Sequence, residues 1–276
     1  MHQLRQRLRS WLAPLRRLPL HPQWLLSRQG KARLAWVQAR AQGRVLDVGC
    51  ADQSMRSQLP GITEYLGLDY PSTATALYRT QPGVFADAAS LPLADGVFDT
   101  VLLLDVLEHL AEPEAALREA GRVLRPGGSV LITVPFCYPL HDQPHDYQRW
   151  TEHALRRRLA QAGFEVLELA EASDAHAAAG VTQALTLGQA AVEALSRPGW
   201  RLLGLPLLLA GIVLVNLQAW CLSRVWPVQG LMPGAYHLRA RRPLAVQPAP
   251  MPASTATMLC SLAAPTECSF PAGGRQ

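Results

Sequence analysis

The first 44 residues contain no acidic side chain. They hold ten basic ones, so the formal charge of +5 belongs to this arm, and the rest of the chain carries a net −5. A basic arm attracts anionic surfaces without selecting one, and the acidic remainder offers no basic groove, so no nucleic-acid partner is expected. Cysteine is scarce as well. Five residues, Cys50, Cys137, Cys221, Cys260 and Cys268, form an odd set whose spacing fits neither a disulfide framework nor a metal knuckle. This points to a reducing, cytoplasmic setting. Arg5, Arg7, Arg9, Arg16 and Arg17 are not followed by an apolar run before Pro19 and Pro22, so no secretory signal is expected. The arm's low serine content argues against an organellar transit peptide. Charged residues make up only 17% of the chain against 49% hydrophobic ones, a globular profile leaning apolar. No internal repeat is present, which excludes solenoids and propellers.

What is present is an alternation of strands and helices. Residues 1–43 read as a basic arm of helical pieces broken at Pro14, Pro19 and Pro22, with Leu4, Leu8, Trp11, Leu12 and Leu15 at helical spacing among arginines. It would lie on a membrane surface or over the main domain. Strands are expected at 44–48, 64–69, 84–87, 98–104, 129–135, 164–169 and 236–242, and helices at 113–124 and 151–162. Thr151 suits the N-cap of the second helix and Gly163 its end. The run Phe98–Leu104 is the pattern of a strand covered on both faces. The expected fold is therefore α/β and Rossmann-like: a seven-stranded, mostly parallel sheet with helices on both faces, the last two strands antiparallel. The domain would span 44–243, with a tail at 244–276 too rich in Pro, Ala, Ser and Thr to fold.

In such a sheet a nucleotide-like ligand sits beyond the carboxyl ends of the strands. There the sequence places Asp47-Val48-Gly49-Cys50-Ala51, then Asp69, then Asp87. Gly49 would let backbone approach a ligand. Asp69 can accept from ribose hydroxyls, since a carboxylate only accepts. Asp87 can accept from an adenine amino group, and Asp47 can orient a ligand ammonium from behind the turn. Tyr70, Ala88 and Asp105 flank these positions. A single strand-terminal Asp is more often a turn former; three in succession at this spacing favour a site.

The residues Val45-Leu46-Asp47-Val48-Gly49-Cys50, Leu68-Asp69, the segment Asp87 to Asp99, Asp105-Val106-Leu107-Glu108-His109-Leu110, and Arg122-Val123-Leu124-Arg125-Pro126-Gly127-Gly128 together resemble the type-11 group of class I methyltransferases over about residues 44–170. The resemblance implies S-adenosyl-L-methionine as cofactor, held by Asp47, Gly49, Cys50, Ala51, Asp69, Tyr70, Asp87, Ala88 and Asp105, and methyl transfer to oxygen or nitrogen. One departure stands out. The family's turn usually reads Gly-Cys-Gly, whereas this chain has Gly49-Cys50-Ala51-Asp52-Gln53. Ala51 is harmless at ordinary torsions and strained at positive φ, and Gln53 brings a longer side chain toward the methionine end of the ligand.

The acceptor side is expected in the run from His141 to Trp150. His145 or His141 could serve as base with Asp146 beside it; the alternative is a polar loop that closes on itself, with Arg149 paired to an acid. Pro144 opposes a helix presenting both histidines to a metal, and no metal is expected. His109 would face the acceptor or cap the turn after the fourth strand. The loop also resembles a family subgroup associated with glycan assembly, which implies a small-molecule, glycan or lipid-linked acceptor. Finally, residues 172–234 intervene where a short hairpin would suffice. Leu202–Ser223 carries no charge and is long enough to cross a bilayer. A single crossing would separate the last two strands, so a helical pair is expected, packed on the domain or dipping into one leaflet. With the Arg-rich arm it would form a peripheral contact at the inner membrane face; a lid or dimer contact is the competing reading.

Overall fold

The computed structural model describes residues 13–197 and 199–244. Leu4, Leu8, Trp11 and Leu12 of the arm, and the tail from 245 on, lie outside the described residues. Seven strands form one sheet: β1 Gly43–Val48, β2 Ile62–Asp69, β3 Val84–Phe85, β4 Phe98–Leu104, β5 Leu124–Pro135, β6 Glu165–Glu171 and β7 Ala235–Arg241. Their order is β3-β2-β1-β4-β5-β7-β6. The first five run parallel, and β7 is antiparallel to both β5 and β6. The Rossmann-like α/β expectation is met.

The apolar runs explain the centre. Along β1, β4 and β5 successive side chains point to opposite faces, and both faces are filled. Leu46, Val101, Leu103, Val130 and Ile132 pack on one side with Ala116, Leu117 and Ala120 of α3 (Pro113–Val123) and with Leu155 and Leu159 of α4 (Glu152–Gln161). Val45, Leu102 and Leu131 pack on the other with Val37 of α1 (Trp24–Gln38) and with Leu59, which follows the short α2 (Ser54–Gln58). Thr151 caps α4 as expected, its Oγ1 accepting from the Ala154 N–H at 3.2 Å, and Gly163 follows at φ +81°.

Most boundaries shift by a residue or two from the sequence expectation, and three shifts bear on the site or the sheet. The third strand ends at Phe85, because Asp87 turns back to bridge Ser90. The fifth strand begins at Leu124, directly after α3, since the Arg-Pro-Gly-Gly segment continues in extended form and Leu124 pairs with Phe98. The seventh spans Ala235–Arg241, one residue earlier than expected. Within the arm, α1 carries Val37 into the core beneath the sheet.

The insertion is a helical pair, α5 Ala175–Ser196 and α6 Leu205–Val225. Because β7 lies between β5 and β6, the pair must leave and return at the same end of the sheet. Asp174 caps α5, accepting from the Ala177 N–H at 3.0 Å and from the Ser223 hydroxyl of α6 at 2.7 Å. The base of the pair rests on α1 through Trp24, Leu25, Val181 and Ala219. Buried Asn216 donates its amide to the carbonyls of Pro19 (2.7 Å) and His21 (3.1 Å), tying the N-terminal segment to α6. Outward, α6 is bare: Leu207 and Leu214 are exposed, as is Leu203 in the turn that leads into it, with Trp200 and Trp226 beside its two ends. The segment Trp200–Val225 is long and apolar enough to cross a membrane, with a mean hydropathy of 2.1 over an 18-residue window.

The two insertion helices touch most closely at Gly180, where a Cβ would stand 2.3 Å from the Ala219 Cβ. We expect Gly180→Val to pry the pair apart and destabilise the protein by about 1–3 kcal/mol, as overpacking does. The urea midpoint reads this. An unchanged midpoint would mean that the helices separate freely.

Candidate active site

The carboxyl ends of β1, β2 and β4 converge, and two cavities open over them. The first, about 510 Å³, is walled by Gly49, Asp69, Tyr70, Asp87, Ala88 and Asp105, and by Gln143 to His145 from the loop after β5. The second, about 540 Å³, lies toward α1 and is walled by Arg33, Ala51, Glu108, His109, Thr133, His141 and His237 among others. Gly49, Tyr78, Asp105, His109 and Asp142 belong to both walls. Both volumes suit a drug-sized ligand.

The turn after β1 is built for close packing. Gly49 has φ +73°, and a side chain there would meet Val106 at 2.5 Å. Asp69 pins the turn: one carboxylate oxygen accepts from the Ala51 N–H at 2.9 Å, the other from the Tyr70 N–H at 2.7 Å. Burial raises its pKa against these two donors. Each oxygen keeps a second lone pair, and the carboxylate stands in the wall of the 510 Å³ cavity. Asp87 is exposed in the same wall, with one oxygen accepting from the Ala89 N–H at 2.8 Å. This set fits a nucleoside with a ribose diol.

Other sequence-predicted residues stand further back. Asp47 lies in neither wall. Its carboxylate accepts the Tyr65 phenol at 2.5 Å, and burial pushes its pKa up to about 7, with the Tyr65 bond acting in the opposite direction. Cys50 is buried behind the turn with its thiol pushed up to about 12 by burial. Gln53 points away from the ligand space, its amide donating to the Gln81 carbonyl at 2.9 Å. Asp105 sits at φ +56°, pairs with Arg33 of α1, and accepts from the Thr133 hydroxyl at 2.8 Å.

The loop after β5 sorts its candidates. His141 faces the larger cavity, with Nδ1 3.2 Å from Asp146. His145 faces the smaller one, its Nδ1 2.9 Å from the Tyr147 hydroxyl. Asp146 is buried and reaches neither cavity. Arg149 clamps it, with one contact at 2.8 Å, and holds its carboxyl well below the usual range. Asp146 accepts from the His141 backbone N–H at 3.0 Å. His109 closes the wall between the cavities, Nδ1 2.9 Å from the His145 carbonyl. The residue the sequence left without a role is Glu108. It is fully buried, neither carboxylate oxygen has a hydrogen-bond partner, and burial pushes its pKa up to about 8, with the Asp105 charge adding to the rise. Arg33 and His237 also escaped notice, for they come from segments far away in sequence.

A parallel sheet in this order, with an acid at each of three consecutive strand ends and a glycine turn pinned by the second, defines a nucleoside-binding α/β domain. Residues 46–132, about a third of the chain, match the family model described as "Methyltransferase domain". It is similar to an O-methyltransferase of Penicillium expansum (30% identical over 48% of this chain and 55% of that protein) and to one of Aspergillus sclerotiorum (30%, over 54% and 64%). It is also similar to the ubiquinone biosynthesis O-methyltransferase of Thiobacillus denitrificans (29%, over 50% and 72%). The chain thus spans little more than half the length of the first curated relatives it matches.

The departure at Ala51 carries the strained outcome: φ is +47° there and +56° at Gln53. A left-handed non-glycine residue costs about 1–2 kcal/mol. The Ala51 N–H bond to Asp69 and the Thr80 hydroxyl on the Ala51 carbonyl (2.8 Å) hold it in place. We expect Ala51→Gly to stabilise the fold by roughly 0.5–1 kcal/mol, the strain relieved less the added freedom of the unfolded chain. Equilibrium unfolding checks this, and a loss of stability would contradict the strain.

Proposed function

We propose that this chain transfers a methyl group from S-adenosylmethionine to a hydroxyl oxygen of an acceptor held in the 540 Å³ cavity. The observation that carries the reading is the shared wall: two cavities, one suited to a nucleoside, meet at Gly49, Asp105 and His109. Asp69 would hold the ribose diol, Asp87 the adenine amino group, and the Gly49 backbone would pass close beneath. When bound, the cofactor supplies a methyl on cationic sulfur, which passes to the acceptor oxygen with release of neutral S-adenosylhomocysteine and the hydroxyl proton. The residues act mainly by positioning, which can supply most of such a rate enhancement. His109 and His141 stand on the acceptor side, where that proton must go, and Asp146 with Arg149 keeps His141 in place. Oxygen is favoured over nitrogen by the names of the relatives, which are O-methyltransferases.

Calorimetric titration with S-adenosylmethionine tests the reading. Binding is expected, and Asp69→Asn should weaken it about 10- to 100-fold, the weight of hydrogen bonds to a charged group. Silence at millimolar cofactor would favour the alternative, a methyltransferase-fold scaffold without catalysis.

The acceptor is proposed to be amphipathic or lipid-linked, reached by a cytoplasmic protein resting on the inner membrane face. Support comes from the bare face of α6 and the turn before it, with Leu207 77% and Leu203 85% exposed, and from the charges around them. Arg197, Arg201 and Arg224 flank the insertion helices, and Glu193 is the single acid between residues 175 and 244. Exposed apolar faces rimmed by arginine and tryptophan suit an anionic interface. The intact protein should float with phosphatidylglycerol vesicles and stay behind with phosphatidylcholine alone. The double change Leu203→Ser, Leu207→Ser should release it. Equal recovery with and without those leucines would remove the membrane.

A further inference from the structure

We propose that Glu108, His109 and His141 form a binding site for one divalent transition metal of the zinc class, set in the acceptor cavity beside the cofactor cavity. Three observations carry it. The ligand atoms face each other: His109 Nε2 and His141 Nε2 stand 3.8 and 3.9 Å from the same Glu108 oxygen, and all three groups fall within 4.8 Å of one another. Around a tetrahedral metal with bonds of 2.0–2.1 Å, neighbouring ligand atoms stand about 3.3–3.4 Å apart, so the two histidine–carboxylate edges must shorten by roughly half an ångström and the histidine–histidine edge by up to about 1.4 Å to close the site.

The second observation is the hydrogen-bond ledger. Nδ1 of His109 lies against the His145 carbonyl at 2.9 Å, and Nδ1 of His141 lies 3.2 Å from the Asp146 carboxylate. The His145 carbonyl only accepts, so the His109 ring carries its proton on Nδ1 and turns a bare Nε2 lone pair toward Glu108; the Nδ1 of His141 makes no hydrogen bond to Asp146, and its Nε2 faces Glu108 likewise. Glu108 answers with a buried carboxylate that has no donor on either oxygen. Three ligand groups thus converge on one point with no hydrogen bond on the carboxylate, an arrangement that a cation satisfies once Glu108 is ionised. The third is the shell behind the ligands. A carbonyl on one histidine, and on the other a carboxylate itself clamped by Arg149, are the outer partners that orient metal-bound imidazoles.

Two imidazoles and a carboxylate suit zinc, cobalt or iron better than magnesium, which prefers oxygen donors throughout. Three protein ligands leave a fourth position open toward the 540 Å³ cavity, as in catalytic rather than structural zinc sites. A cation there would lower the proton affinity of an acceptor hydroxyl; this role, though not the site, rests on the proposed methyl transfer. The expectation of no metal weighed His141 with His145. Those two face different cavities, and the partners of His141 are instead the adjacent pair at 108 and 109.

The test uses the intact protein without cofactor, so its outcome is independent of methyl transfer. After dialysis against chelator, zinc chloride is titrated calorimetrically and cobalt chloride is followed by visible absorption. We expect one equivalent of each metal, a rise in melting temperature with zinc, and no comparable response to magnesium. Glu108→Gln and His141→Ala should each weaken zinc at least 100-fold and remove the cobalt bands, and Asp146→Asn should weaken it about 10-fold. Circular dichroism of the metal-free variants establishes that they fold; where one does not, the other serves. Absence of zinc binding at 0.1 mM (about a micromolar affinity being expected), or binding indifferent to both Glu108→Gln and His141→Ala, overturns the site.

Discussion

The carboxylate of Asp69 is the constraint on which the site depends. It closes β2, holds the Ala51 N–H of the turn that closes β1, and holds its own neighbour Tyr70. The two strand ends are thereby locked to one another through a charged acceptor rather than through side-chain packing. Ala51 and Gln53 can remain left-handed because this bond, the Thr80 hydroxyl and the Gln81 carbonyl fix the turn from three directions. Local strain is tolerated where the surroundings over-determine it.

The 540 Å³ cavity is assembled differently. Its parts come from α1, from the turn after β4, from the loop after β5 and from β7. They are joined by polar contacts: Arg33 to Asp105, Thr133 to Asp105, His109 to the His145 carbonyl, and Arg149 to Asp146. None of these is apolar packing. A buried carboxylate such as Glu108 belongs in such a region only with a counter-charge or a proton, since an unpaired buried charge is costly.

The sheet was legible in the sequence because its strands are covered on both faces. Val101–Leu104 is apolar on both faces, and the acids at 69 and 87 mark where the chain leaves the core. The third strand was over-read by two residues, as the Asp87 carboxylate bonds its own turn and draws the backbone away from the ladder. What no periodicity reveals is which distant segments meet. Arg33 lies 72 residues from Asp105, and nothing in either neighbourhood names the other. Gln53 could be feared as an obstruction from its length alone; only the Gln81 carbonyl decides where its amide goes. Glu108 sat inside a recognisable motif, yet burial on every side is a property of the fold.

The position of β7 between β5 and β6 has a consequence for what the chain can accommodate. Neither neighbour pairs with the other; each waits for residues 235–241 to arrive. The segment in between must close a loop whatever its content, and the entropy of closure grows only with the logarithm of length, about 0.6 kcal/mol for each doubling. A two-helix excursion therefore costs this joint only roughly 2–3 kcal/mol more than a tight connection would. The sheet's last seam is a place where a domain of this kind can acquire a new surface while its nucleoside-binding edge, at the opposite side of the central strand, stays undisturbed.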